Sequence, residues 1–198
     1  MIRRQICFAF LFFVYILNFL PETVQAEGTG YYPDGQLKWE YQFQDGEIIA
    51  AKWYNEAGQL VSREAYADGK PIKTEGYRLD GTLEWQVRNL EDNRQDITRF
   101  DATGQITTRY QTLDRQPDGE YVIFYTDGQV DFQTEAQAKQ SVTYRRGVLE
   151  GPARTFFATG QVEHEFAYSG GEVDGTYRTY SSEGVLLSEY SFKAGQLQ

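Results

Sequence analysis

His164 is the only histidine of the chain, and a general base or metal centre would have to be built around it. Glu163 and Glu165 flank it, and Ser62 and Ser188 stand at equivalent positions of the repeat described below. A Ser–His pair requires hydrogen-bond reach. Ser188 lies one repeat away, ~10 Å at two strand spacings. Metal ligation by one histidine is equally poor chemistry, since structural zinc needs several His or Cys ligands and the only cysteine is Cys7.

Acids are plentiful, but Asp34, Asp45, Asp68, Asp80, Asp118, Asp127 and Asp174 all stand before or near a glycine. Aspartate there bonds its own backbone and tolerates turn conformations. Calcium would need several oxygens converging, and neither a GGxGxD nonapeptide nor a twelve-residue loop ending in Glu occurs. A hydrolase would need a unique carboxylate pair, whereas these acids are spread evenly. The expectation is a protein that is not an enzyme, with no catalytic residue, no metal and no cofactor.

Aromatics remain as the best binding candidates. Trp39, Tyr41, Trp53, Trp85, Tyr125 and Phe157, with His164 in the same column as Trp39 and Trp85, would form a surface. Flat rings serve both as protein anchors and as platforms for sugar stacking.

The elements that must position them are hairpins. The stretch YYPDGQLKWEYQFQDG, residues 31–46, turns at Asp34-Gly35 and again at Asp45-Gly46. Between the turns Leu37, Trp39, Tyr41 and Phe43 alternate with Lys38, Glu40 and Gln42, the pattern of a strand with one apolar row. Its turn glycine recurs as Gly35, Gly58, Gly81, Gly104, Gly128, Gly160 and Gly184. A period of this size signals an array of repeats. Four residues before each marker stand Tyr31, Tyr54, Tyr77, Phe100, Phe124, Phe156 and Tyr180, and two after it Leu37, Leu60, Leu83, Ile106, Val130, Val162 and Leu186.

For those two columns to meet on one face, the first loop must hold an odd number of residues. A three-residue loop with glycine in a G1 bulge satisfies this. The second turn falls eleven residues after the marker, at Gly46, Gly69, Gly171 and Gly195, with Asp92 and Arg115 in copies lacking glycine. The fold class expected is all-β, an open antiparallel meander of about seven tandem hairpins in one long twisted sheet. At two strands per hairpin this is ~14 strands and ~65 Å. The copies with weak second turns, around Asn89–Asp96 and Thr112–Gly119, are expected to be the loosest. About eight extra residues around Phe132–Ser141 are expected to leave the sheet as a loop or short helix.

Residues 1–26 form an expected signal peptide: Arg3 and Arg4, the apolar run Ile6–Leu20, Pro21, then Val24-Gln25-Ala26. An uncleaved anchor is the alternative, although the run is short for a span. Residues 27–198 then form a single repeat domain, exported to periplasm, cell surface or medium. The chain of 198 residues carries a formal charge of −10, which disfavours nucleic acid and anionic membranes as partners. Without cysteine after Cys7 there is no disulfide framework. Burial and backbone pairing must hold the protein together.

The copies YYPDGQLKWEYQFQDG, YNEAGQLVSREAYADGK, FFATGQVEHEFAYSGGEVDG and YSSEGVLLSEYSFKAGQL resemble the MORN repeat variant of bacterial YwqK-type antitoxin proteins. The resemblance runs from Tyr31 to Leu197 and implies a meander of hairpins that binds another molecule. It implies a non-catalytic scaffold or antitoxin-like module whose partner is another protein, and the signal segment makes that an exported one. This chain departs from the pattern in its signal segment, its insertion and two copies without the second glycine. A carbohydrate or cell-wall binding array is the alternative, because aromatic-glycine hairpins of this length also resemble choline-binding modules.

Overall fold

The computed structural model describes residues 25–126 and 137–198, so residues 1–24 of the expected signal segment, together with Asp127, Gly128, Val130 and Phe132, lie outside the described residues. Every regular element among the described residues is a strand. The first eight are β1 (Gln25–Tyr31), β2 (Leu37–Gln44), β3 (Glu47–Tyr54), β4 (Leu60–Ala67), β5 (Lys70–Tyr77), β6 (Leu83–Asn89), β7 (Arg94–Phe100) and β8 (Ile106–Leu113). The rest are β9 (Gln116–Phe124), β10 (Ala138–Arg145), β11 (Val148–Phe156), β12 (Val162–Ser169), β13 (Glu172–Val173), β14 (Gly175–Tyr180), β15 (Leu186–Lys193) and β16 (Gln196–Leu197). They form one open antiparallel sheet of 16 strands in chain order, with β13 and β14 both paired to β12.

Two kinds of reversal alternate along it. In the first, Gly35 N donates to Tyr32 O at 2.9 Å and Tyr32 N to Gln36 O at 2.8 Å. This is a three-residue loop with Gly35 at φ 88°, a conformation glycine takes without steric penalty. The same pattern closes 55–59, 78–82, 101–105, 157–161 and 181–185. The side chain of Asp34, Asp80 or Asp101 accepts a backbone N–H within its own loop, which occupies these acids structurally.

The second reversal is a two-residue turn with both central residues at positive φ, as in Asp45-Gly46 at 53° and 83°. That is the mirror-image turn whose twist matches paired strands. Asp114-Arg115 and Asp92-Asn93 adopt it without glycine. These copies keep their place in the sheet: β6 to β9 continue the ladder from Leu83 to Phe124 without a break in strand order.

A bulge in each hairpin changes how the alternation maps onto faces. Gly30 pairs with Trp39, but the next residue, Tyr31, pairs with Leu37. One strand advances by one residue while the other advances by two. Leu37 consequently joins Tyr31 on one face, and Trp39, Tyr41 and Phe43 occupy the other, instead of forming one row of four. The shift recurs at Tyr54/Leu60, Tyr77/Leu83, Phe100/Ile106, Phe156/Val162 and Tyr180/Leu186.

The insertion is also located differently from the sequence reading. Tyr125 N donates to Gln137 O at 3.0 Å in place of the Tyr32–Gln36 closure, and residues 127–136, with the first part of the expected insertion, lie outside the described residues. Ala138–Ser141 are part of β10, with Phe124 paired to Ala138 and Ile123 to Gln140. Ala138 and Gln140 thus take the column positions of Leu37 and Trp39.

A third positive-φ glycine marks the later repeats, in the pairs Asp118-Gly119, Glu150-Gly151 and Asp174-Gly175. The chain kinks there, and the preceding backbone and carboxylate hold the next hairpin's turn. Gly147 N donates to Pro117 O at 2.7 Å, and Arg146 N to Asp118 Oδ2 at 3.1 Å. Gly171 N reaches Leu149 O at 3.0 Å, and Gly170 N reaches Glu150 Oε2 at 2.8 Å.

Burial is shallow throughout. Among the described residues only Ala51, Val142 and Ala153 are buried apolar residues, and no large side chain is fully enclosed. Cross-strand pairs within one layer, the unit of sheet stabilisation, take the place of a core between layers.

Candidate interaction surface

One face of the sheet collects the aromatics. Its first row follows the register Gly30, Trp39, Trp53, Ser62, Gly76, Trp85, Arg99 and on through Thr155 and His164 to Thr179 and Ser188. All three tryptophans therefore share a row. Trp39 and Trp53 are direct cross-strand partners, and Tyr41 joins them with ring centroids 4.9 Å from Trp39 and 6.1 Å from Trp53. The indole of Trp39 lies over Gly30 and that of Trp85 over Gly76, each filling the place a Cβ would take. Aromatic cover of a cross-strand glycine is a recurrent device for shielding exposed backbone in a sheet.

A second row, two residues along each strand, runs beside the first. Tyr110 stacks on Tyr121 at 4.8 Å, Tyr121 meets Tyr144 at 5.9 Å, and Phe166 stacks on Tyr177 at 4.9 Å. The buried Ala51, Val142 and Ala153 sit in this row, Ala51 paired with Tyr41, Val142 with Tyr121 and Ala153 with Phe166. Tyr110, Tyr121, Phe166 and Tyr177 were not singled out from the sequence. The signal was present for two of them, since Tyr110 and Phe166 stand six residues after Gly104 and Gly160, as Tyr41 does after Gly35.

His164 lies in the tryptophan row, 5.6 Å from the Tyr177 ring, with Nδ1 3.3 Å from Thr179 Oγ1. Glu163 approaches its Nε2 at 3.9 Å. Ser188 pairs with Thr179 and is separated from His164 by that strand. Glu165 is bound to Arg154 at 2.7 Å on the opposite face. No group of three or more His, Cys, Asp or Glu able to hold a metal ion occurs among the described residues.

Tyr125 and Phe157 do not join the aromatic face. Both occupy first-loop positions equivalent to Tyr32. The Tyr125 hydroxyl donates to Phe156 O at 2.7 Å, as the Tyr32 hydroxyl donates to Tyr54 O at 2.8 Å. Arg78 plays the same part by donating to Phe100 O and Asp101 O. These side chains staple one hairpin to the next, a role the repeat spacing alone did not reveal.

The other face is patterned by charge. Cross-strand partners form ion pairs between Glu40 and Lys52 at 2.6 Å, Arg154 and Glu165 at 2.7 Å, and Arg178 and Glu189 at 2.8 Å. Glu75, 4% exposed, receives Arg63, Lys73 and the Tyr77 hydroxyl. Burial works to raise its carboxyl, but these three donors override that and hold it at about 2. Burial and the adjacent carboxylate push the Tyr77 hydroxyl up to about 12. Buried charge is tolerated only when paired in this way. A cleft of about 680 Å³ between β6 and β9 is lined by Arg88, Asp96, Arg109 and Glu120.

The last complete hairpin, with its three-residue loop, bulge and final two-residue turn, spans β14 and β15. Residues 173–194 match the MORN repeat variant. The MORN-variant unit thus corresponds to one structural hairpin, whose three-residue loop and bulge recur in the hairpins closed at 32–36, 55–59, 78–82, 101–105 and 157–161. No curated protein matches the chain. Among solved structures, TarM shows 14% identity over 52% of this chain and 18% of its own, with a TM-score of 0.36. A TarM mutant from S. aureus, in complex with fondaparinux, alpha-GlcNAc-glycerol and UDP, shows 13% identity, 52% and 19% coverage and a TM-score of 0.37. A GtfA/B complex bound to UDP and GlcNAc shows 12%, 52% and 22%, with a TM-score of 0.26. This chain spans less than a quarter of each, and scores this low carry neither fold nor function across.

Proposed function

We propose that this is an exported, non-catalytic repeat protein that holds another protein on its open sheet. The observation that carries the reading is a single layer with an aromatic face that no helix or second sheet covers among the described residues. Exposed apolar faces of this extent mark interaction sites. Export is supported by Arg3, Arg4 and the apolar run Ile6–Leu20. The MORN-variant match at 173–194 supports a repeat protein with a binding role, and an antitoxin-like module that sequesters its partner is the form of that role proposed here. Affinity capture from the exported fraction with the tagged full chain tests it: a stoichiometric protein partner is expected, and recovery of none would overturn the reading.

A glycan or cell-wall ligand is the second reading, favoured by the flat-lying indoles of Trp39 and Trp85 in one row. Four strand spacings separate them, ~19 Å. Failure of the protein to co-sediment with isolated cell wall eliminates it.

A further inference from the structure

We infer that the aromatic face packs against the same face of a second copy of this chain. The inference rests on the reading of the sheet as a contact surface and commits one of its two faces. Domains are built from at least two packed layers, and this sheet supplies one.

Charge separates the candidates for the missing layer. The chain as a whole carries −10. In the two rows built on Trp39 and Tyr41, only Glu64 and Arg99 bear formal charge, one of each sign. The negative excess sits elsewhere, in part on first-turn residues such as Asp34, Glu56, Asp80 and Asp101. The Glu163 carboxylate also reaches this face, at Thr155 and His164, so two copies stacked face to face would bring together surfaces of low net charge and leave like-charged turns at the periphery. An oppositely charged partner would gain nothing from this face.

Area points the same way. About 14 strands at ~4.8 Å and six residues at ~3.4 Å give roughly 1,300 Å² per copy, about 2,600 Å² for the pair. Obligate homodimers bury roughly 2,000 to 5,000 Å², rich in aromatics at the centre. Aligned sheets pack ~10 Å apart, and a two-fold axis makes the contact self-complementary. The face with Glu75 and the Arg88–Glu120 cleft stays open for a different partner.

The test is sedimentation velocity on the full chain purified from the exported fraction, with Tyr121→Arg and Phe166→Arg beside Thr98→Arg on the charged face. The wild type and Thr98→Arg are expected at twice the chain mass, and the first two variants at half that value. Should either arginine variant fail to fold, Thr108→Cys, next to the midpoint of the tryptophan row, replaces it. A bifunctional maleimide spanning ~10 Å is expected to link two Thr108→Cys chains and not two Thr98→Cys chains. A wild type monomeric at high concentration that still captures a partner overturns the dimer and leaves the contact-surface reading intact. A monomer that captures nothing removes both, and a dimer indifferent to both arginine variants overturns the assigned face.

Discussion

The indole of Trp39 occupies the space that a side chain at Gly30 would need, and Trp85 stands over Gly76 in the same way one pair of hairpins further on. Glycine here is required by what lies above it rather than by its own backbone. Gly76→Ala forces the indole off its seat, and overpacking of this kind costs about 1–3 kcal/mol. Thermal unfolding should show a lower midpoint for Gly76→Ala and for Gly30→Ala. Ser62→Ala, across from Trp53, should stay within about 0.5 kcal/mol of wild type.

Glu75 makes stability depend on pH. Its carboxyl lies at about 2 in the folded chain against an ordinary 4.5, so the contribution is complete above 4.5 and disappears as pH falls toward 2. At ~1.4 kcal/mol per pH unit the contribution is about 3 kcal/mol. Chemical denaturation between pH 2 and 6 should show this loss in the wild type. Glu75→Gln should lower stability at pH 6, because Arg63 and Lys73 lose their partner, and should flatten the slope between 4.5 and 2.

Asp118 and Glu150 bind the turn of the hairpin that follows them. Removing one such acceptor costs about 1 kcal/mol. Hydrogen exchange at the Arg146 amide should accelerate in Asp118→Ala while the Gly170 amide keeps its protection. Equal acceleration of both would show that the two turns are not held separately.

Tyr125 separates stapling from binding. Tyr125→Phe loses the hydroxyl bond to Phe156 O and should cost about 1 kcal/mol of stability. Partner capture should be unchanged, since the substitution removes only a hydroxyl that the chain itself engages beside the loop. A loss of capture with stability intact would place Tyr125 in the binding surface after all.

The turn and strand positions were legible because each obeys a local rule. Gly35 and its equivalents mark loops that only a positive φ can close, and the Tyr31 column sits at a constant offset from them. Which face a residue occupies was less legible. The bulge beside Tyr31 carries Leu37 to the opposite face from Trp39, and nothing in the alternation of LKWEYQF signals a register that depends on the neighbouring strand. Arg115 and Asn93 hold glycine conformations because flanking strands impose the turn. Counting by glycine spacing puts Val130 in the aliphatic column of Leu37, where backbone pairing puts Ala138. The tryptophan row itself combined two visible signals, Gly30/Trp39 and Gly76/Trp85, each nine residues apart. Their meaning emerged only once the strands were paired.

Hydroxyl-radical footprinting of Tyr121 and Tyr177 in the exported fraction, against the purified chain at high dilution, tests most directly whether the open sheet is a contact surface. Both rings stack on the face that lacks a covering layer. The account predicts that their labelling rates fall several-fold in the native fraction while that of Tyr32, stapled at the loop edge, stays constant. Identical rates for Tyr121 and Tyr177 in both samples would contradict it.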